Sequence, residues 1–212
     1  AVDADYTVTF AAGKIGLFVN PGAQKAGRVF RVDIGIPRVL FEEIRPAAML
    51  MDKAFIAGKL KDRPDNAHKG DCGKVLIIGG SKGMSGAPVL AALAALRTGV
   101  GLVYAATPKV MTSIIDKKLT ESITLPLQET GDGMISRSAL GRIFEWIDKV
   151  DAVVIGPGLG VCDDTIEVVR EVVKNCCRPL LVDADGLNCI ARDMSIMDAV
   201  GSSVVLTPHP GE

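Results

Sequence analysis

Residues 74–88 of this 212-residue chain read KVLIIGGSKGMSGAP, and they already imply an α/β architecture. The first five residues form a short, largely apolar run closed by two glycines, which predicts a buried strand. The glycines permit tight turns and close backbone approach, and Pro88 fits the first turn of a helix, where its missing N–H costs nothing. A strand, a glycine-rich loop and a helix in this order are typical of a parallel sheet.

The chain beyond this segment continues to alternate short apolar runs with helical patterns. Strands are predicted at residues 74–78, 102–106, 123–127, 151–155, 179–182 and 203–206. Helices are predicted at residues 88–97, 108–118, 138–149 and 164–173. Short apolar strands that alternate with helices predict a mainly parallel sheet with helices on both faces, and therefore an α/β fold.

The first part of the chain has a different pattern. Residues 6–10 and 28–34 alternate in polarity and predict two strands, joined by a connection rich in glycine and proline. Two strands cannot bury enough apolar surface to stand alone, so we interpret residues 1–37 as the end of a larger domain.

A polar, breaker-rich stretch at residues 61–73 marks the best domain boundary. We therefore predict a helical lead-in at residues 38–65 and an α/β domain at residues 66–212. The chain starts just ahead of a strand and stops just after a turn, so we expect it to be a fragment of a longer protein, cut at both ends.

The composition argues against two classes of partner. The 24 Lys and Arg residues are balanced by 25 Asp and Glu residues, whereas nucleic-acid binding requires a basic face. No apolar stretch reaches the roughly 20 residues that span a bilayer, so no membrane partner is expected. The five cysteines form neither a C-x-x-C pair nor an even framework. We interpret Cys176 and Cys177 as small buried hydrophobes and predict a cytoplasmic location.

Unusual residues follow four of the predicted strands, at the sheet edge where ligands bind in α/β proteins. The first group is the loop of residues 79–87, where Gly80 and Ser81 can bring backbone N–H groups to a phosphate or a polar ring. The spacing is not G-x-G-x-x-G, which disfavours a hydride-transferring dinucleotide site. It is not the G-x-x-x-x-G-K-[ST] of a P-loop either. A tight turn without a ligand is the alternative.

The second group is Gly156-Pro157-Gly158-Leu159-Gly160. Three glycines between a strand and a helix indicate close approach to the backbone, although a bare turn explains them equally well. Asp163 or Asp164 is predicted to cap the following helix, because acidic side chains are favourable at its positive end.

The third and fourth groups carry the polar side chains. An extended backbone would put Asp183 and Asp185 on one side of the strand end, where they can hold Mg²⁺ through water, orient a sugar hydroxyl or cap the next helix. Alternatively, Asp185 is only an N-cap and Asp183 accepts backbone hydrogen bonds. In the fourth group, residues 207–212 (TPHPGE), two prolines fix the backbone beside His209, which favours a binding role.

Together these groups resemble one family, the ADP/ATP-dependent NAD(P)H-hydrate dehydratases, which have a ribokinase-like fold. The shared motifs, in the family's order, are HKGD at 68–71, GGSKGMSGA at 79–87, GPGLG at 156–160, DADGLN at 183–188 and TPHPGE at 207–212. The stretches ADYTVTF at 4–10, KIGL at 14–17 and DIGIP at 33–37 resemble the end of an NAD(P)H-hydrate epimerase domain. The resemblance implies a three-layer fold in a bifunctional repair protein.

The resemblance also implies a reaction. In the family, the epimerase interconverts the two C6 epimers of hydrated NADH or NADPH. The dehydratase phosphorylates the C6 hydroxyl of the S epimer from a nucleotide and then eliminates phosphate. ADP is the expected donor, ATP is the alternative, Mg²⁺ accompanies the nucleotide, and K⁺ belongs to the epimerase domain. The family further implies a homo-oligomer, expected to be a tetramer.

Residue roles follow from the match to the family's motifs. The residues implied to contact the hydrated nicotinamide nucleotide are Ala87, His209 and either Gly158 or Gly160. The residues implied to shape the pocket are Gly80, Ser81, Asp183, Asp185 and Asn188. The family's catalytic aspartate lies in a later Gly-Thr-Gly-Asp motif, so we expect it beyond Glu212 and expect the fragment to be inactive.

Three other functions compete with this interpretation. Another small-molecule kinase of the same fold would accumulate a stable phosphorylated product, but the TPHPGE motif argues against it. A nucleotide-binding regulatory module would lack the Gly-Thr-Gly-Asp segment in its native gene. An NAD-dependent dehydrogenase would transfer hydride, which the loop spacing disfavours.

Overall fold

The computed structural model describes residues 2–44, 46, 48–60, 63–209 and 211. The chain divides into two compact units, residues 1–62 and 63–212, and each has its own sheet. The division falls inside the polar stretch 61–73. Pro210 and Glu212 of the TPHPGE motif lie outside the described residues.

The first unit is built on a parallel pair of strands. Its elements are β1 (Tyr6–Phe10), α1 (Gly22–Lys25), β2 (Arg28–Val32), α2 (Arg38–Glu43), α3 (Lys53–Ala57) and a 3₁₀ turn at Ile15–Leu17. Only Thr9 and Ala26 are buried among the described residues of this unit, whereas Tyr6 and Phe10 are well exposed. Two strands with such short helices bury little apolar surface.

The second unit contains six parallel strands. They are β3 (Lys74–Ile78), β4 (Leu102–Pro108), β5 (Ile123–Leu127), β6 (Ala152–Ile155), β7 (Leu180–Val182) and β8 (Val204–Leu206). Their spatial order is β5-β4-β3-β6-β7-β8, and every neighbouring pair is parallel. The prediction of an α/β fold with a mainly parallel sheet is therefore confirmed.

Helices connect these strands. They are α4 (Gly86–Thr98), α5 (Thr112–Lys118), α6 (Leu140–Ile147), α7 (Asp163–Asn175) and α8 (Asp185–Arg192). Further 3₁₀ turns occupy Lys109–Met111, Arg137–Ala139 and Met194–Ala199, so the predicted helices at 108–118 and 138–149 both begin as 3₁₀ turns. Within the described part of the chain, every helix is too short or too polar to cross a bilayer.

Two apolar clusters lie on opposite faces of the large sheet. Leu76 and Ile78 of β3 belong to the cluster that also contains residues of α6, α7 and α8. Ile77, which points the other way, belongs to the cluster with α4 and α5. All three side chains are fully buried, because side chains alternate along a strand and both faces of β3 are covered. Sheet and helices thus form three layers, as the resemblance implied.

The strand order contains a topological switch point. From β3 the chain proceeds to β4 and β5 on one side of the sheet, and then to β6, β7 and β8 on the other. The carboxyl ends of β3 and β6 therefore border the crevice where ligands bind in open α/β sheets.

The cysteines are all free thiols, but their burial differs from the prediction. Cys176 and Cys189 are buried, whereas Cys177 is exposed, so the interpretation of Cys177 as a buried hydrophobe was wrong. The chain leaves helical geometry at Cys176, the residue that caps α7, and the next side chain faces solvent.

These cysteines are expected to differ in reactivity. Burial raises the pKa of Cys189 to about 11, so the thiol stays protonated at neutral pH, and thiolate is the form that reacts. Cys189 in the folded protein should react with iodoacetamide at least about tenfold more slowly than Cys177. Peptide mass spectrometry after timed labelling measures both rates. In urea the two should converge, and rapid native labelling of Cys189 would contradict its burial.

Candidate functional site

The four groups of unusual residues follow four adjacent strands of the sheet. They come directly after β3, β6, β7 and β8, which are neighbours in that order. Because all four strands are parallel, the groups lie along the same edge of the sheet. The first two groups border the switch point between β3 and β6.

The loop after β3 is fixed by backbone hydrogen bonds on both sides. The N–H of Gly79 donates to Ala106 of β4 at 3.1 Å, and that of Gly80 donates to Pro157 at 2.9 Å. Gly80 has a φ of +82°, a conformation that favours glycine. The N–H of Met84 then donates to Ser81 at 2.8 Å and brings the chain into α4.

The loops after β3 and β6 lie directly against each other. The hydroxyl of Ser81, which is 2% exposed, donates to the carbonyl of Gly158 at 2.9 Å. A Cβ added to Gly158 would lie 3.3 Å from the Cβ of Ala87, so these two residues are neighbours. Three residues assigned from the family's motifs, Ser81, Ala87 and Gly158, are therefore brought together.

The two candidate glycines of the second loop differ in their hydrogen bonds. Both have positive φ, +64° at Gly158 and +75° at Gly160. The N–H of Gly160 donates to Oδ2 of Asp185 at 2.9 Å. By contrast, no acceptor in the described residues receives the N–H of Gly158. Since Gly158 is buried, this N–H is a donor that can serve a ligand.

Asp183 and Asp185 do not form the predicted pair. The strand ends at Val182, and the chain turns at Ala184, whose φ is +51°, so the backbone is not extended between the two aspartates. Oδ1 of Asp183 accepts a hydrogen bond from the hydroxyl of Thr207 at 2.7 Å. The carboxylates thus have separate partners, and the expectation that extended geometry aligns them was wrong.

Asp185 fixes the second loop. Its Oδ2 accepts from Gly160, and its Oδ1 accepts from Nδ2 of Asn188 at 3.2 Å. The N-cap of α8 is Ala184, so the alternative reading of Asp185 as an N-cap is also not what the structure has. Asp185 and Asn188 instead connect the start of α8 to the loop after β6.

His209 lies on an exposed segment after the edge strand β8. This segment is tied to the sheet by Thr207, whose hydroxyl donates to Asp183 and whose N–H donates to Val182 at 3.3 Å. Nδ1 of His209 accepts a hydrogen bond from the N–H of Gly211 at 2.7 Å. His209 therefore shares the sheet edge with the two glycine loops but follows a strand two places from β6.

A hairpin after β5 also belongs to this region, although the sequence did not single it out. Glu129 and Ile135 pair across it, and the N–H of Lys82 donates to the carbonyl of Gly133 at 3.0 Å. A Cβ added to Gly160 would lie 2.7 Å from Sδ of Met134. The turn residues Gly131-Asp132-Gly133 after a predicted strand were an available signal, because ligand-edge residues follow strands.

The start of α7 is capped differently from the prediction. Cys162 is the N-cap and forms a capping box with Thr165, so neither Asp163 nor Asp164 is the cap. Oδ1 of Asp164 instead accepts from the N–H of Arg137 at 2.8 Å and from the Ser136 hydroxyl at 3.1 Å. The hydrogen bond from the Arg137 N–H lowers the pKa of Asp164. Asp164 is therefore a carboxylate, and in this form it binds the segment that follows the hairpin.

The polar groups at this edge are hydroxyls, backbone N–H groups, carboxylates and an imidazole. In the part of the chain that the structure describes, no three His, Cys, Asp or Glu side chains are close enough together to hold a metal ion. What the edge offers a ligand is the Gly158 N–H and the first N–H groups of α4, which have no partner within their own helix.

Comparisons with a family profile and with individual proteins indicate the same family. The profile of the NAD(P)H-hydrate dehydratase family matches residues 75–212. The "Bifunctional NAD(P)H-hydrate repair enzyme Nnr" of Moorella thermoacetica is 43% identical over 211 residues, which are 100% of this chain and 40% of that protein. The chain thus spans about 40% of the length of the curated relatives that it matches.

Comparison with solved structures supports the same assignment. An ADP/ATP-dependent NAD(P)H-hydrate dehydratase from Bacillus subtilis, co-crystallized with ATP/Mg²⁺, superposes with a TM-score of 0.54 at 26% identity, covering 76% of this chain and 52% of that one. A ribokinase-like superfamily protein from Enterococcus faecalis V583 has the same fold, with a TM-score of 0.56 at 20% identity over 70% of this chain and 49% of that one. The fold is therefore ribokinase-like, and the chain belongs to the NAD(P)H-hydrate dehydratase family.

Proposed function

We propose that the protein containing this chain is an ADP-dependent dehydratase of hydrated NADH and NADPH. The observation that carries the proposal is the contact between the loops after β3 and β6 at the switch point. Ser81 donates to Gly158 there, and Ala87 lies beside Gly158. These residues lie within the segment that matches the dehydratase family.

The proposed reaction has a simple chemical logic. Hydroxide is a poor leaving group at C6 of the hydrated ring, so the nucleotide first transfers a phosphoryl group to the C6 hydroxyl. The lone pair of the ring nitrogen then expels phosphate, and loss of a proton from the ring restores the reduced nicotinamide. Positioning and charge neutralisation dominate phosphoryl transfer, and Mg²⁺ on the nucleotide phosphates supplies the latter.

We assign the following roles to this chain's residues. The Gly158 N–H, which has no acceptor among the residues that the structure describes, contacts the substrate next to Ala87. Gly160 is a supporting residue because Asp185 already accepts its N–H. His209, which follows β8, contacts the same nucleotide from farther along the carboxyl ends of the strands. The residues that hold this geometry are Gly80, Ser81, Asp183, Asp185 and Asn188.

The assignment of the whole protein extends the same proposal. Residues 1–37 are the end of an epimerase domain that uses K⁺, residues 38–65 lead into the dehydratase domain, and residues 66–212 are its first part. The catalytic aspartate is supplied from outside this chain. The protein acts as a homotetramer in the cytoplasm, without a nucleic-acid or membrane partner.

The test uses the whole gene product. Hydrated NADH and Mg²⁺ are supplied with ADP or ATP, and the return of NADH absorbance is followed. We expect a nucleotide-dependent rise, faster with ADP, that falls at least about tenfold in His209→Ala because a substrate contact is lost. Urea unfolding of both proteins controls for stability.

Two results would contradict the proposal or a part of it. If the folded protein returns no NADH but accumulates a stable phosphorylated alcohol from another substrate, the protein is a small-molecule kinase of the same fold and the proposal is wrong. If ATP alone supports the rise, the repair activity stands and the assignment of ADP as donor is wrong.

A further inference from the structure

Two methionines cover the glycines at the switch point. A Cβ added to Gly158 would lie 2.7 Å from the carbonyl oxygen of Met84 and 3.2 Å from its Cβ. A Cβ added to Gly160 would lie 2.7 Å from Sδ of Met134 and 3.6 Å from Cε of Met84. The open faces of both glycines are therefore occupied by this chain's own atoms.

This packing changes what the crevice presents to a ligand. Gly158 and Gly160 are both buried, whereas Met84 is 41% exposed. Because the methionines lie over the glycines, a ring that enters between the two loops meets the Met84 thioether and not the glycine Cα atoms. The glycines explain how the loops come so close, and Met84 is the surface that results.

The position of Met84 is well fixed even though its side chain is adaptable. Its N–H donates to Ser81, and Ser81 in turn donates to Gly158, so the loop backbone is tied to the wall it faces. Behind it, Lys82 donates to Gly133 on the hairpin that carries Met134. An unbranched thioether on such a support is polarizable and can adjust to a flat ligand.

Asp185, a carboxylate near the two glycines, already has hydrogen-bond partners on both oxygens. Asp185, the first residue of α8, accepts from the N–H of Gly160 with Oδ2 and from Nδ2 of Asn188 with Oδ1. The thioethers of Met84 and Met134 carry no charge. An uncharged ring loses little hydration energy on such a surface, whereas a polar group placed there without a partner is penalised.

We propose that Met84, supported by Met134, is the surface on which the hydrated nicotinamide ring lies, and that it is a specificity-determining residue for uncharged rings. The inference rests on the proposed function for the identity of the ring. The Gly158 N–H and the start of α4 border this surface, so they can hold the polar substituents while the thioether contacts the ring face. Dispersion contacts with many atoms of the ring supply the binding.

NADH is the stable compound that the proposed reaction releases. The test measures how tightly NADH binds to the whole gene product when no ADP or ATP is added. The variants are Met84→Gln, which keeps the length but adds an amide, and Met84→Leu, which stays apolar. Met194→Gln is the matched control, since Met194 is 64% exposed in the last 3₁₀ turn. NADH fluorescence gives both the dissociation constant and the emission increase that a dry, apolar environment produces.

We expect Met84→Gln to weaken NADH binding about tenfold and to reduce the emission increase of the bound ring, because a polar amide replaces the apolar surface. The KM for hydrated NADH should rise with it. Met84→Leu should stay within about twofold of the parent, because a volume-conserving apolar exchange preserves such contacts. Met194→Gln should match the parent in every measurement.

The outcomes that overturn the inference separate it from the proposed function. If the parent turns over hydrated NADH but Met84→Gln binds NADH with unchanged affinity and emission, Met84 is not the ring surface and the dehydratase assignment stands. If Met84→Leu loses as much as Met84→Gln, apolar character is not what matters and the inference is wrong. If the parent neither binds NADH nor restores it from the hydrate, both are wrong.

Discussion

Replacement of Gly156 with alanine should prevent stable folding of the second unit. Gly156 has a φ of +118°, and an added Cβ would overlap the carbonyl oxygen of Asp183 and lie 2.6 Å from the N of Gly186. These atoms are backbone, so no side-chain rotation relieves the overlap. We expect a loss of more than about 4 kcal/mol, a size that only severe core or backbone disruption produces.

The reason lies in how β6 meets β7. Gly156 donates its N–H to Ile78, and Asp183 donates its own to Ile155, so the ends of three strands converge at this point. Gly186 faces the same contact, since its own Cβ would lie 3.0 Å from the carbonyl oxygen of Ile155. To accommodate a methyl group at Gly156, the turn into α8 would have to move away from the sheet and break this hydrogen bonding.

The measurement is urea unfolding followed by the fluorescence of Trp146, the only tryptophan of the chain. Trp146 packs on Tyr104 of β4 with the ring centroids 4.8 Å apart, so its emission reports on the second unit. Gly73→Ala is the matched control, because Gly73 also has a positive φ, of +80°, but its Cβ would meet only Asp151 Oδ2 at 3.9 Å.

The control separates backbone strain from steric overlap. Gly73→Ala should cost only about 1–2 kcal/mol, the penalty for a left-handed residue with a side chain. If Gly156→Ala lost no more than this control, the contact between the ends of β6 and β7 would have to be more adaptable than the structure indicates, and backbone overlap would not determine the stability loss.

The sequence predicted much of the second unit because its strands are short apolar runs with clear ends. The predicted strands at 74–78 and 123–127 coincide with β3 and β5, and all six predicted strands exist. Helix starts were less accurate, because 3₁₀ turns precede α5 and α6. The cap of α7 is Cys162, a residue type that capping preferences would not select.

The geometry of the site was less predictable because it depends on contacts between distant segments. Ala184 adopts a φ of +51°, which is rare for alanine, and this turn separated the two aspartates that an extended strand would have aligned. The hairpin after β5 lies beside the first glycine loop through Gly133, and no local pattern reveals a pairing between residues so far apart. Nor could the sequence distinguish Gly158 from Gly160.

The difference between Gly158 and Gly160 leads to a second large expected effect, on the dehydratase activity that we propose for the whole gene product. Gly158→Ala should fold but lose at least about a hundredfold in kcat/KM, because misplacement of substrate-binding groups by a fraction of an ångström is costly. The new Cβ would press on the Met84 carbonyl oxygen and on Ala87, 3.3 Å away, and would move the start of α4 from the second loop. Unlike the overlap at Gly156, this one involves an outer loop, which can shift without unfolding the sheet.

Gly73→Ala again provides the comparison, since Gly73 precedes β3 at the opposite edge of the sheet from the site. Both variants carry an alanine in a left-handed conformation, so both should lose about 1–2 kcal/mol of stability from strain alone. In the whole gene product, only Gly158→Ala should lose the proposed dehydratase activity, measured as nucleotide-dependent return of NADH from its hydrate. Equal activity losses in the two variants would attribute the effect to stability. Full activity of Gly158→Ala would mean that the spacing between Met84, Ala87 and the second loop does not control the reaction, because the added methyl group cannot fit without changing that spacing.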